Sequence, residues 1–175
     1  MLNREAVNMA ALNLVNICID RDYEDEMTGR LYNRYSKQAI SFDDVNSLLM
    51  QMEQLMDWID FPKAHASLRR FAASERGGCR IKEQSWSMSG SQRGARWYGN
   101  ANRKDGIVKG TDEILNETGK RATFLVNVQY RQNATWQGRV LWAETGRSCY
   151  FRSALELLKL MDGALDELPE EAQAQ

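Results

Sequence analysis

From Ala122 to Phe151 the chain alternates apolar and polar residues with a period of two, and a helix-start signal follows at once. Phe124, Val126, Val128 and Tyr130 fall on one side, with Thr123, Asn127 and Gln129 opposite them. Trp136, Val140 and Trp142 likewise oppose Gln137 and Arg139, and Cys149 and Phe151 continue the apolar side. Side chains of a strand point alternately to its two faces, so this pattern describes strands with one buried face. Asn133-Ala134 and Thr145-Gly146 supply the turns. Ser153 and Glu156 form an S-x-x-E capping box. It opens a helix whose inward residues are Leu157, Leu158, Met161, Ala164, Leu165 and Leu168, with Pro169 as its stop. The expected unit over 111–168 is therefore β-β-β-α, an antiparallel three-stranded meander covered by one helix, with 169–175 as a tail.

The first 74 residues read differently. Asn3 to Asp20 contains Val7, Ala10, Ala11, Leu14, Val15, Ile17, Cys18 and Ile19, which fits a helix with a wide buried face. Gly29 to Tyr35 reads as a second short helix or turn-rich connector. Ser41 and Asp44 make an S-x-x-D start for a helix carrying Phe42, Val45, Leu48, Leu49, Met52, Leu55, Met56 and Ile59, ended by Phe61-Pro62. Leu68 and Phe71, with Arg69 and Arg70 between them, suggest one more amphipathic helix over Ala64–Ser74. The predicted class is α+β, with a helical, acidic N-terminal region over 1–74.

Between these regions, residues 75–110 are rich in Gly and Ser and lack Leu, the composition of long loops or weak strands. Charge concentrates here. Residues 1–60 hold 5 Lys+Arg and 11 Asp+Glu, residues 61–152 hold 17 and 7, and residues 153–175 hold 1 and 6. A formal net charge of −1 thus conceals a basic middle between two acidic ends. Such asymmetry suits a polyanionic partner. Arg69, Arg70, Arg76, Arg80, Lys82, Arg93, Arg96, Arg103 and Lys104, interleaved with Trp97 and Tyr98, are the candidate nucleic-acid or partner contacts.

Several chemistries are disfavoured. Three cysteines (Cys18, Cys79, Cys149) are an odd number without CxxC spacing, and His65 is the single histidine, so neither a disulfide framework nor a structural zinc site is expected. A Cys–His nucleophile pair would need His65 beside Cys79 or Cys149. No glycine pattern matches a phosphate-cradling loop. Asp43-Asp44 and Asp57…Asp60, the carboxylates a metal-dependent nuclease would need, are explained by a helix start and a helix surface. No apolar run approaches the ~18 residues of a membrane span, and Met1–Ala10 lacks the pattern of a signal peptide. The expectation is a cytoplasmic, non-enzymatic protein without cofactor or metal.

Thr123-Phe124-Leu125-Val126, Tyr130 to Gly138 and Phe151-Arg152-Ser153-Ala154-Leu155-Glu156-Leu157 resemble a family of small uncharacterised proteins of gut bacteria and their mobile elements. Gly29-Arg30-Leu31-Tyr32 and Phe61-Pro62 are similar to its N-terminal half. Some members of such families resemble anti-CRISPR proteins, so the resemblance implies an inhibitor that binds an RNA-guided nuclease or its nucleic acid. It implies no catalytic residues. A second version of that expectation uses the acidic run Asp20, Asp22, Glu24, Asp25 and Glu26 to occupy a basic groove on the nuclease. A third expectation is a general nucleic-acid-binding or regulatory module, with DNA or RNA as partner. If Thr111–Glu117 is helical, the C-terminal order becomes α-β-β-β-α, as in double-stranded RNA-binding domains.

Overall fold

A computed structural model describes residues 11–23, 26–65, 68–71, 79–82, 107, 109–133 and 135–169. Its elements are β1 (Leu14–Tyr23), β2 (Glu26–Tyr32), β3 (Ile40–Phe42), α1 (Val45–Ile59), β4 (Ala64–His65), β5 (Leu68–Phe71), β6 (Cys79–Lys82), α2 (Thr111–Leu115), β7 (Ala122–Gln132), β8 (Thr135–Trp142), β9 (Arg147–Phe151) and α3 (Ala154–Asp166). Six strands form one antiparallel sheet in the order β3-β2-β1-β7-β8-β9, and two-residue β4 joins β7 in parallel. β5 and β6 make a separate antiparallel pair.

This overturns the helical N-terminal region and the three-stranded sheet expected above. Leu14–Tyr23 is a strand, and over its first six residues both faces are covered. Val15, Ile17 and Ile19 enter the main core, while Leu14 and Cys18 enter two small clusters on the other side. A strand buried on both faces shows a continuous apolar run, which periodicity alone does not separate from a buried helix. Gly29–Tyr35 is not helical either, since Gly29 to Tyr32 belong to β2. In place of the helix at Ala64–Ser74 stand β4 and β5. Strands β7, β8 and β9 are one half of a larger sheet.

α1 forms in the expected place, but its cap is Asp44, three residues after Ser41. Asp44 Oδ1 accepts the Ser47 N–H at 2.5 Å, and Ser47 Oγ accepts the Asp44 N–H at 3.3 Å. At its end Asp60 turns left-handed (φ 54°), and the Phe61 N–H donates to the Met56 carbonyl at 3.1 Å. For α3, Ser153 Oγ accepts the Glu156 N–H at 3.0 Å.

The two halves of the sheet repeat one another at an offset of 109 residues. Ile17 pairs with Leu31 as Val126 pairs with Val140, and Gly29 lies opposite Phe42 as Gly138 lies opposite Phe151. The register slips between Ile19 and Arg21 in β1 and at the counterpart place, between Val128 and Tyr130, in β7. The caps Asp44 and Ser153 correspond, as do the buried helix residues Leu48, Met52, Leu55, Met56 and Leu157, Met161, Ala164, Leu165. β1 and β7 pair around Asn16↔Leu125, which are themselves counterparts, so a pseudo-twofold axis passes through that pair.

Both helices cover one face of the sheet and share its core with Val15, Ile17, Leu31, Phe42, Phe124, Val126, Val140 and Phe151. Beyond the bulge of β7, Arg131 turns into this side and is 5% exposed. Its guanidinium bonds Glu53, Asp57 (2.5 Å) and the Pro62 carbonyl (3.3 Å), and the Trp136 indole donates to Glu53 at 2.7 Å. Buried charge persists only with such partners.

Gly29 and Gly138 are fixed by close approach. A Cβ on Gly138 would lie 2.2 Å from the Asn127 carbonyl oxygen and 2.8 Å from the Phe151 ring, and one on Gly29 would meet Cys18 and Phe42 likewise. Gly138→Ala is expected to destabilise the protein by about 1–3 kcal/mol. Gly163→Ala, in α3 with nothing within 4 Å of the new atom, is expected to stabilise it by about 0.5–1 kcal/mol. Denaturant melts of the two variants check both signs.

Candidate functional site

Of the predicted contacts, Arg69 and Arg70 lie in β5, and Arg80 and Lys82 lie in β6. The register sets Arg70 opposite Arg80 and Leu68 opposite Lys82. These eight residues carry four cations and no carboxylate. Arg76, Arg93, Arg96, Trp97, Tyr98, Arg103 and Lys104 fall outside the described residues, as do Glu24 and Asp25 of the acidic run. Asp22 lies in β1, and Glu26 opens β2 and is exposed.

Asp20 is engaged within the chain. It accepts from Arg30 Nε (2.7 Å) and an Arg30 terminal nitrogen (2.9 Å), and from the Lys120 N–H (3.2 Å). These bonds, the Arg30 side chain first, hold the Asp20 carboxyl below the usual carboxylate range. Arg30 also donates to the Tyr32 hydroxyl (2.7 Å) and the Thr118 carbonyl (3.0 Å). Residues 109–121 close over this part of the sheet face opposite the long helices. Ile114 packs on Cys18 and Tyr32, and Asn16 donates to the carbonyls of Ile114 (2.7 Å) and Glu117 (2.8 Å).

Arg139, the counterpart of Arg30 on the same face, has a different setting. Gln129 occupies the position equivalent to Asp20. Among the described residues Arg139 forms no ion pair. One terminal nitrogen donates to Ser148 Oγ at 3.1 Å, the guanidinium carbon lies 4.9 Å from the centre of the Tyr150 ring, and Nε is buried without a partner. The neighbours of Arg139 across the strands are Asn127, buried, and Tyr150, 65% exposed, while Tyr130, 54% exposed, stands further along the same face opposite Gln137. The first half has Ser41 and Arg21 at the tyrosine positions. Tyr130 also borders a groove of about 340 Å³ whose other lining includes Phe61 and Lys63. Exposed aromatic rings beside a guanidinium without a carboxylate partner offer stacking surfaces next to a positive charge.

Sequence reasoning missed this surface. Alternation placed Arg139 on the polar face, where it lies, but placed Tyr130 with Val128 on the apolar face. The bulge inserts one extra residue between them, which moves Tyr130 to the open face and Arg131 to the core.

Among the described residues no group of three or more His, Cys, Asp or Glu could hold a metal ion. No described helix is long and apolar enough to cross a membrane. Burial pushes the Cys18 thiol up to about 12, so below pH 10 it stays almost wholly protonated, whereas Cys149 is exposed. Iodoacetamide at pH 8 is expected to label Cys149 in the native protein and Cys18 only after denaturation, with peptide mass spectrometry reading each site. No family model, curated protein or solved structure matches the chain.

Proposed function

We propose that this chain is a non-catalytic nucleic-acid-binding protein that receives an unpaired strand on the patch of its sheet formed by Tyr130, Arg139 and Tyr150. The observation that carries the reading is the contrast between two counterpart arginines. Arg30 is neutralised by Asp20 and also donates to the Thr118 carbonyl, whereas Arg139 forms no ion pair among the described residues and lies against the exposed Tyr150, with exposed Tyr130 opposite Gln137 further along the same face. A phosphate supplies the missing counter-charge to Arg139, and Tyr150 and Tyr130 stack on adjacent bases. Base–aromatic stacking contributes ~1–3 kcal/mol per base and accepts any sequence. An open sheet with exposed rings is one of the recurrent platforms for single strands. The cation-rich β5–β6 pair adds phosphate contacts, and each such contact steepens the salt dependence. An acidic docking surface receives less support, because the Asp20 carboxylate is taken up by Arg30 and the Lys120 amide.

The resemblance to mobile-element proteins adds a narrower version, in which the bound strand belongs to an RNA-guided nuclease and binding inhibits cleavage. That version rests on the resemblance, and a cleavage assay with the same variants tests it.

Fluorescence anisotropy with labelled dT15 and rU15 at 50 and 200 mM salt tests the general reading. The wild-type chain is expected to bind at low salt and to weaken at high salt. Arg139→Gln and Tyr150→Ala should each reduce affinity about tenfold, close to 1.4 kcal/mol, while Tyr150→Phe retains it and all three keep the wild-type melting temperature. Absence of binding at low salt, or variants that bind as the wild type does, would contradict the proposal.

A further inference from the structure

On the helix-covered side of the second half, a cavity of about 290 Å³ opens between α3 and the sheet. Phe124, Val140, Trp142, Leu160 and Ala164 give it an apolar wall, and the exposed Arg147 and Lys159 also line it. The internal repeat supplies a reference for what that space holds when it is only core. At the counterpart positions the first half has Ile40 for Cys149, Leu55 for Ala164, Gln54 for Gly163 and Trp58 for Glu167. Ile40 and Leu55 are fully buried, and Trp58 packs on the core and meets Tyr35 edge to face with ring centroids 5.2 Å apart. The second half replaces all four with smaller or polar side chains, and a Cβ added at the exposed Gly163 would meet nothing within 4 Å. The sheet side changes the opposite way, with Phe124 for Val15 and Trp142 for Asn33, their rings 6.3 Å apart and tilted by 32°. The bulk has moved from the helix and the edge strand to the central strands, leaving an aromatic floor and an open roof.

We propose that this cavity binds a small aromatic monoanion, with its ring on Trp142 and Phe124 beneath Ala164 and Leu160 and its anionic group at Lys159. Charge selects the single negative group. Glu167 pairs with the Arg147 guanidinium, which lies over Trp142 at 4.7 Å, so of the three charged linings Lys159 is left as the uncompensated cation. A volume near 290 Å³ is at the small end for ligand pockets, which limits the ligand to one or two fused rings. The site is separate from the strand-binding face, since neither Arg139, Tyr130 nor Tyr150 lines it.

The test uses the full chain and 2-naphthoate as probe, followed by calorimetry and by the NMR signal of the Trp142 indole. Saturable one-to-one binding with a submillimolar Kd and a shifted Trp142 signal is expected. Ala164→Leu and Cys149→Ile, which restore the first half's residues from the helix and strand sides, should each abolish binding in a folded protein. Lys159→Gln should weaken 2-naphthoate about tenfold and leave the weaker binding of neutral 2-naphthol unchanged. Arg139→Gln should bind 2-naphthoate as the wild type does, which separates this site from the strand-binding face. No saturable binding of 2-naphthoate overturns the proposal, as does unaltered binding by either filling variant that retains the wild-type fold.

Discussion

The antiparallel pairing of β1 with β7 is the contact on which the rest of the structure depends. It joins two β-β-β-α halves edge to edge around Asn16↔Leu125, so each half supplies the other's missing sheet neighbour. Val15, Ile17, Phe124 and Val126 then meet on one face under both helices, with burial contributing ~1.5–3 kcal/mol for each large side chain. The opposite face is held by polar side chains as well as apolar ones. Asn127 donates to Asn13 at 2.9 Å, and Asn13 donates to the Val128 carbonyl at 2.5 Å. Buried amides tolerate this position because their hydrogen bonds are made there. The Arg131 cluster ties the far end of β7 to α1, across the boundary between the halves.

A repeated fold lets each half serve as the control for the other. Where the two agree, the constraint is structural. Gly29 and Gly138 admit a phenylalanine ring from the next strand, and Leu48 and Leu157, like Met52 and Met161, fill the same helix positions. Where they differ, one half has been released from that constraint. Asp20 against Gln129 leaves a guanidinium uncompensated, and Ser41 against Tyr150 places an exposed ring beside it. Both differences favour the same ligand chemistry on the same face, which is the physical basis of the nucleic-acid reading.

β8 and β9 were legible because their outer face is only partly covered, and β7 because the buried polar Thr123 and Asn127 stand on its second face and keep the alternation. α1 and α3 were legible because they carry caps and a three-to-four spacing. β1 was not legible, because burial on both faces removes the alternation that marks a strand. Tyr130 was misplaced by a bulge that leaves no trace in residue type. Counterparts such as Ile17 and Val126, or Leu31 and Val140, keep hydrophobicity without identity, so the repeat emerges from strand register. For the candidate site, the cations of 69–104 form a dense run in the sequence, whereas Arg139 is a single cation in a regular strand. What distinguishes Arg139 is the absence of a carboxylate at Gln129, a relation that exists only once the halves are superposed.

Native-state hydrogen exchange under increasing denaturant tests the central pairing most directly. If β1 and β7 hold both halves in one cooperative unit, the slow amides of β1, β2 and α1 converge on the same global opening as those of β7, β8 and α3. Opening of residues 14–59 at distinctly lower denaturant, with 122–166 still protected, would contradict the account.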